Sequence, residues 1–498
     1  MAERVAPLEL PPDEFRRLGH DLVDRIAEFL GSLRERPLTF GETPAEIRAL
    51  LGRAPLPPTG AAPAVLLPET ARLLFDHSLF NGHPRFMGYI TSSAAPLGAL
   101  ADLLAATVNP NVGGWELSPV ASEIEAQTVR WVAELVGYPV DCGGLLVSGG
   151  NMANFVCFLS ARRAKADWEI RSEGLQGHSP LMSLYASKET HTWIHKAADL
   201  FGLGTNAIRW IPTDDDLRMD LSTLRAKVRE DREQGFRPFL VVGAGGTVST
   251  GAVDPLPELA EYCRQEDLWF HVDGAYGAPA VASDRVSPDL AGLREADSVA
   301  LDPHKWLYAP MEAGCALVRD PRHLVDAFSF HPEYYRFEGT DGEFRTNLFE
   351  HGMQNSRGFR ALKVWVQLKQ SGRNGLLEAI EGDMELAQEM ARLLEKTPGC
   401  EVWTKNLSIV TFRYVPEDLR GKAEANQEYL NDLNEAMLDR IQQEGVIFIS
   451  NAVIRGTFVL RACIVNFRTT SEDVAMVPGV VTALGRELDK QMRKEQTA

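Results

Sequence analysis

Cysteine is scarce in this chain of 498 residues: six in all (Cys142, Cys157, Cys263, Cys315, Cys400 and Cys463), scattered, with no CxxC pair. That spacing offers neither a disulfide framework nor a thiolate metal site, and it points to a reducing cytoplasm. Basic charge is in deficit. Against 69 Asp and Glu stand 51 Lys and Arg, a formal charge of -18. With no basic stripe to neutralise phosphates, nucleic acid is excluded as a partner. No apolar run approaches a membrane span, and the opening MAERVAPLELPPDEF lacks the basic-then-apolar order expected of a signal peptide. What remains, 45% hydrophobic and 24% charged, is the composition of a globular protein long enough for two or three domains.

What the sequence does hold is concentrated in three stretches. Ser298 to Pro310, SVALDPHKWLYAP, is an apolar run that stops at an Asp-Pro turn and places one lysine, Lys305, between a histidine and a tryptophan. The run reads as a buried strand ending in a loop, where an ammonium loses much of its hydration. Desolvation lowers a lysine's pKa and turns its amine into a nucleophile toward an aldehyde. A surface lysine that merely follows a strand fits this stretch as well. Upstream, Trp269 to Ala280, WFHVDGAYGAPA, is a second apolar strand that ends in Asp273 and runs into small residues. A carboxylate at the end of a buried strand needs a cation or several donors, and a protonated ring nitrogen would serve; a helix N-cap or turn aspartate is the alternative. The third stretch, Leu145 to Phe155, LLVSGGNMANF, passes through Ser148, Gly149, Gly150 and Asn151 into a helical run. Free N–H groups and the helix dipole favour an anion there, although many helices begin with glycine for steric reasons alone. Together the three are what pyridoxal 5'-phosphate chemistry requires: Asp273 keeps the ring nitrogen protonated, Lys305 holds the aldehyde, and the glycine turn takes the phosphate.

With these residues in view, the chain resembles the group II pyridoxal-phosphate-dependent amino acid decarboxylases, the family of the aromatic L-amino acid, histidine and glutamate decarboxylases. The matches are DPHKW around Lys305, HVDGAYG around Asp273, SGGNMAN at Gly150, ETHTW at His191, GGTVSTGAVDP around Thr247 and HPRFMGYI near the N-terminus. SPVASEIEAQTVRWVAEL and FVLRACIVNFRTT bring it nearest the aromatic branch. The resemblance implies an aminotransferase-like α/β fold (fold type I) and an intertwined homodimer with an N-terminal arm and an active site near the subunit interface. It implies that His191 stacks on one face of the cofactor ring while Ala275 covers the other, that Gly149, Gly150, Asn151 and Thr247 help to hold the cofactor, and that His304 sits near the phosphate and the reacting carboxylate. Tyr89 and Ile90 fall where aromatic decarboxylases line their substrate pocket; Asn111 and Gly113 replace bulkier pocket residues and would leave room there. Asp302 stands where the aromatic branch commonly has asparagine.

Pro11 to Ser32 reads as an amphipathic helix that cannot bury its own stripe, followed by an irregular Pro-rich passage, Arg53 to Pro68. An arm packed on a partner explains both, and a helix folded back on the large domain is the alternative. From Ala126 to about Ser371, apolar strand candidates (145–147, 181–186, 239–243, 268–272, 298–301 and 315–318) alternate with helical stretches. That pattern specifies a mostly parallel sheet with ligands at its carboxyl ends. Leu324 to Phe349, aromatic and aperiodic, reads as a mobile lid; a helix from Ser356 to Gln370 closes the large domain. The expected units are an arm over 1–92, a large cofactor-binding domain over 93–373 and a small C-terminal α/β domain over 374–498. Arg461, in a late strand (457–464), is the candidate partner of the substrate carboxylate, since a guanidinium binds it in two places; an exposed strand arginine is the other reading. His271, Asp273 and His304 around a metal would leave the lysine and the glycine turn unexplained.

The expected activity is removal of the α-carboxylate of an L-amino acid as carbon dioxide. Tyr89, Trp115 and Phe86 favour an aromatic side chain, and no second arginine is evident for a side-chain carboxylate. Other pyridoxal reactions on the same scaffold, aldehyde synthesis or transamination, are the alternatives, with a non-catalytic binding protein a remoter one. Tyr334, in HPEYY, matches the lid tyrosine that such decarboxylases use as the acid protonating Cα, where aldehyde-forming relatives carry phenylalanine; Tyr335 is adjacent, so the register could differ by one.

Overall fold

In the computed structural model, which describes residues 8–177, 180–330 and 345–497, the alternating apolar stretches of the middle of the chain become one seven-stranded sheet. Helices α1 (Pro12–Gly31), α2 (Pro44–Leu51) and α3 (Pro63–Asp76) come first, then α4 (Pro96–Val108) and α5 (Pro119–Leu135). The large unit follows as β1 (Gly143–Val147), α6 (Gly150–Lys165), α7 (Ile170–Glu173), β2 (Met182–Ser187), α8 (Trp193–Leu200), β3 (Ile208–Ile211), α9 (Leu221–Glu233), β4 (Arg237–Ala244), α10 (Leu256–Gln265), β5 (Trp269–Asp273), β6 (Ser298–Leu301), β7 (Gly314–Val318) and α11 (Arg322–Phe328). Its strand order is β1-β7-β6-β5-β4-β2-β3, and only β7 runs antiparallel to its neighbours. Strands β2, β6 and β7 are buried along their whole length, as a sheet covered on both faces demands.

Helix α12 (Ala361–Lys396) leaves this layer and runs on through Gly372, whose φ of +59° breaks the helical path without ending it. Glycine tolerates that left-handed conformation, and the chain bends there. Beyond lie β8 (Cys400–Asn406), β9 (Ile409–Tyr414), α13 (Gln427–Glu444), β10 (Ser450–Ile454), β11 (Thr457–Cys463) and α14 (Ser471–Thr497). The four strands form an antiparallel sheet, β10-β11-β9-β8, packed through Phe412 and Leu460 on Met390, Leu433 and Val477 of the three helices. The architecture is the mixed α/β, mostly parallel arrangement expected, with a small C-terminal sheet.

Several expectations need correction. The Pro-rich passage is irregular only as far as residue 62: Pro63 occupies the first helical turn, where its missing N–H has no partner to lose, and α3 continues through Pro68. The helix expected from Ser356 begins at Ala361, because Arg357 turns inward. Its buried guanidinium donates to the carbonyls of Val112 and Leu146 and pairs with Glu125 at 2.5 Å, which holds the preceding backbone off the helical path. Part of the aperiodic stretch from Leu324 is helical, the end of α11; residues 331–344, and with them Tyr334 and Tyr335, lie outside the described residues.

The N-terminal segment binds the small sheet more than the large one. Phe29 stacks on Phe75 at 4.4 Å, Arg34 pairs with Asp473 of α14 at 2.9 Å, and Phe86 stacks on Phe448 at 5.1 Å. The Met87 N–H donates to the Phe448 carbonyl at 2.7 Å and the Cys463 N–H to the Met87 carbonyl at 2.8 Å, so residues 85–87 run beside the small unit. Of the α1 stripe only Leu18 is buried, while Phe15, Val23 and Ile26 stay exposed.

Candidate active site

Five strands of the large sheet end at one cleft of about 500 Å³. The chain leaves β1 at Ser148–Asn151, β2 at Thr190 and His191, β4 at Gly246 and Thr247, β5 at Asp273 and Ala275, and β6 at Asp302, His304 and Lys305; each of these residues lines the cleft. The carboxyl ends of parallel strands are where side chains from different loops can meet without crossing the core. From the small unit Arg461 reaches the same space, and Tyr89 and Ile90 close it from the N-terminal segment. A second hollow of about 540 Å³, between Asp215–Arg218 and the edge strand at Trp403–Asn406, is lined by Gly251–Val253 at the end of the GGTVSTGAVDP motif but by none of the candidate site residues.

The lysine is tied to a carboxylate. Lys305 Nζ lies 3.0 Å from Asp302 Oδ2, a residue 2% exposed, so the ammonium is compensated for the hydration it gives up. The role that asparagine plays at this position in the aromatic branch did not carry over to Asp302 from sequence; here its charge faces the lysine. Among the described residues Asp302 Oδ1 is buried without a hydrogen-bond partner, and Oδ2 also lies 3.8 Å from His304 Nε2. A Cβ on Gly150 would stand 2.6 Å from that Oδ2, so only glycine permits the start of α6 to approach the lysine loop this closely.

Asp273 Oδ2 accepts a hydrogen bond of 2.7 Å from Trp193 Nε1, and Oδ1 accepts one of 3.2 Å from the Ala275 N–H. Trp193 was missed as a site residue although it closes the ETHTW motif; a tryptophan two residues after the candidate ring-stacking His191 was the available signal. His191 accepts at Nδ1 from the Trp193 N–H at 3.3 Å and is open to the cleft. Loss of solvation pushes its imidazole below the usual histidine range, against the pull of Asp273. The same cause lowers His304, opposed by Asp302, while its Nδ1 accepts from the Ala313 N–H at 3.1 Å. Both rings therefore tend to be neutral at neutral pH. Arg461 is 5% exposed, which overturns the surface-arginine reading, and among the described residues its Nε has no partner. Thr247 Oγ1 shares a 3.0 Å hydrogen bond with Thr250 Oγ1.

Other assignments move. His271 is no ligand candidate: Nε2 bonds Asn154 Oδ1 at 2.7 Å and Nδ1 bonds Ser298 Oγ at 2.9 Å, inside the sheet, and burial pushes the ring down to about 4. Phe86 belongs to a packing cluster with Leu38 and Phe448. Trp115 donates to Glu123 at 2.7 Å and lies under Arg345, so neither aromatic lines the cleft of this chain. Asn111 does not line it either: its Oδ1 accepts from the Gly113 and Arg357 N–H groups, and a Cβ on Gly113 would meet the Asn355 carbonyl at 2.2 Å. The extra room expected there is filled by backbone.

The donor set fits pyridoxal phosphate. The first turn of α6 has N–H groups without helical partners for a phosphate, a lone amine stands in the cleft for an aldehyde, and a strand-end carboxylate stands ready for a ring nitrogen. Residues 64–415 match the model of the pyridoxal-dependent decarboxylase conserved domain. The aromatic-L-amino-acid decarboxylase of Bacillus atrophaeus is 35% identical over 97% of this chain and 97% of its own. The phenylacetaldehyde synthase of Petunia hybrida is 29% identical over 91% of this chain and 90% of its own. The crystal structure of Oryza sativa TDC with PLP and tryptamine superposes with a TM-score of 0.89 at 27% identity, covering 97% of this chain and all of that one. Among the described residues no helix is long and apolar enough to cross a membrane. This chain belongs to the pyridoxal-dependent decarboxylase family and is a pyridoxal-phosphate-dependent carboxy-lyase acting on an amino acid.

Proposed function

We propose that the protein decarboxylates an aromatic L-amino acid to the corresponding amine, as a homodimer in the cytoplasm, with an arm over 1–92, a cofactor domain over 93–373 and a small domain over 374–498. What supports this reading is one observation: the Lys305 amine, the Asp273 carboxylate and the buried Arg461 guanidinium open onto a single cleft with the half-exposed ring of Tyr89 at its mouth. Bound pyridoxal phosphate supplies an electron sink for the pair left on Cα when carbon dioxide departs. Asp273, oriented by Trp193, keeps the ring nitrogen protonated. Lys305 would hold the aldehyde carbon of the bound cofactor, and Asp302, 3.0 Å from Nζ, would pair with the lysine's ammonium whenever it is free. His191 and Ala275, both lining the cleft, would confine the ring of the bound cofactor, and His304 would stand near its phosphate and the substrate carboxylate. Gly149, Gly150 and Asn151 at the start of α6, and Thr247 after β4, would hold the cofactor. Arg461 offers two N–H donors to the substrate carboxylate, while Tyr89 packs on its side chain. Tyr334 delivers the proton to Cα.

Dimerisation is supported by the exposed apolar residues Phe15, Leu66, Leu74, Leu100, Leu104 and Val108 along α1, α3 and α4. Six unpaired thiols suit a reducing compartment. The likeness to an aldehyde synthase keeps a second reading in play, in which oxygen intercepts the reaction after carbon dioxide leaves. Carbon dioxide, amine, aldehyde and peroxide measured from a panel of L-amino acids decide between them: tryptophan, tyrosine or dihydroxyphenylalanine should give amine and carbon dioxide in equal amounts. Glutamate as the best substrate, or aldehyde with peroxide as the main product, would refute the proposal.

A further inference from the structure

Between the lysine loop and the small sheet lies a carboxylate that the chemistry above does not use. Asp383, on α12, is 2% exposed, and among the described residues no cation pairs with it. Its Oδ2 accepts two hydrogen bonds from the lysine loop, from Trp306 Nε1 at 3.0 Å and from the Tyr308 hydroxyl at 2.7 Å. Its Oδ1 accepts the Asn466 N–H at 3.4 Å, and the Asn466 side chain donates to the His83 carbonyl at 2.8 Å. Trp306 in turn stacks on Tyr276 at 4.9 Å, three residues beyond Asp273. One side chain thus gathers the residue next to Lys305, the segment that follows the strand of Arg461, and, through Asn466, the segment that leads to Tyr89. Tyr308 has a φ of +55°, a conformation that a tyrosine adopts only when its surroundings impose it.

We infer that Asp383 is a positioning residue for Lys305: it fixes the lysine loop against the segments that carry Arg461 and Tyr89, and it does so as the carboxylate. Both of its oxygens face donors, so a proton on either would stand against an N–H or O–H and remove an acceptor. Burial opposes ionisation and pushes the carboxyl up to about 7 despite the three donors. The titratable groups that face it are Tyr308 on the lysine loop, Tyr276 on the Asp273 loop and Cys463 at the end of β11. All three stay neutral, since burial drives both tyrosines well above their ordinary value and the thiol up to about 12. Two consequences of opposite sign follow. Placement of the lysine loop is complete above pH 7 and loosens as the pH falls through that value. Global stability moves the other way: the unfolded carboxyl releases its proton near pH 4, the folded one only near 7, so the contribution of Asp383 is favourable at low pH and is lost as the pH rises through this window.

The inference rests on the assignment of Lys305 as the residue that holds the cofactor, and borohydride fixation followed by peptide mapping of the wild-type holoenzyme tests that assignment by itself. The positioning role is tested by Asp383→Asn, which keeps the shape and one acceptor, and by Tyr308→Phe, which removes one donor. For Asp383→Asn the visible circular dichroism of bound cofactor and the rate of borohydride fixation should lose their pH dependence around 7. Its kcat should fall about tenfold with KM changed less than threefold, although its melting temperature above pH 7 equals or exceeds that of the wild type. Tyr308→Phe removes a donor that favours the ionised form and should move the midpoint of the visible signal to higher pH. A folded Asp383→Asn protein with wild-type dichroism, kcat and pH profile would overturn the inference. So would an unmoved midpoint in Tyr308→Phe, which decides the matter if Asp383→Asn does not fold.

Discussion

Asp302→Asn probes the pair at the centre of the cleft. Two unit charges 3.0 Å apart, as Lys305 Nζ and Asp302 Oδ2 are, attract by about 5 kcal/mol at an effective dielectric of roughly 20. Removing one partner of a buried pair typically costs about 3–5 kcal/mol, because the other charge is left in place. The amide keeps an acceptor for the ammonium and also relieves the desolvation of Oδ1, which has no partner among the described residues, so the expected loss shrinks to about 2 kcal/mol. That loss belongs to the apoprotein, where Nζ is a free ammonium; once Nζ is committed to the cofactor the carboxylate has less to compensate. In thermal unfolding, where about 1 kcal/mol corresponds to roughly 2–4 °C for a large domain, the apo variant should melt about 4–8 °C below the wild type and the holo variant within about 2 °C of it. The gap between apo and holo melting temperatures should therefore widen. An equal fall in both forms would mean that Asp302 is a packing residue whose charge the lysine does not use.

Lys305→Ala should abolish borohydride fixation of the cofactor while phosphate contacts still retain it; label recovered on another lysine would displace Lys305. Asp273→Ala should lose at least a hundredfold in kcat and Asp273→Glu far less, because the ring nitrogen depends on a nearby carboxylate; equal rates would remove Asp273 from the site. Tyr334→Phe should shift product from amine toward aldehyde, ammonia and peroxide in the presence of oxygen, and an unchanged amine yield without peroxide would send the proton's origin elsewhere.

The six strands of the large sheet that are plain apolar runs were readable to within two residues, because a strand buried on both faces needs no alternation. Strand β3, Ile-Arg-Trp-Ile, escaped because it is an edge strand with a half-buried polar side, and β8 because its burial is broken along its whole length. Helix α14 was obscured by Pro478, which sits inside it. The residues of the cleft were legible where a strand end and a run of small residues coincided, as at Asp273 and Gly150. Side-chain direction was not. Phe86 and Trp115 are aromatic and near the right loops, yet one faces the core and the other a carboxylate, and periodicity in a loop cannot distinguish these. Asp383 had no visible signal at all: it lies among Glu381 and Glu385 on an amphipathic helix, where one buried acid resembles its solvated neighbours.

The hydrogen bond from the Asn466 side chain to the His83 carbonyl closes a separation of 383 residues. Met87, which pairs with both Phe448 and Cys463, waits equally long for its partners. A ribosome adding about 5–20 residues per second needs on the order of 20–80 s to cover that distance. During that time Phe86 and Met87, buried in the finished protein, lack the C-terminal residues that cover them, and of the Phe86 cluster only Leu38 has already been made. Synthesis therefore exposes an apolar segment early and covers it last. Nascent chains stalled before residue 448 should recruit a holdase chaperone at residues 80–90 and release it once the C-terminal strands emerge.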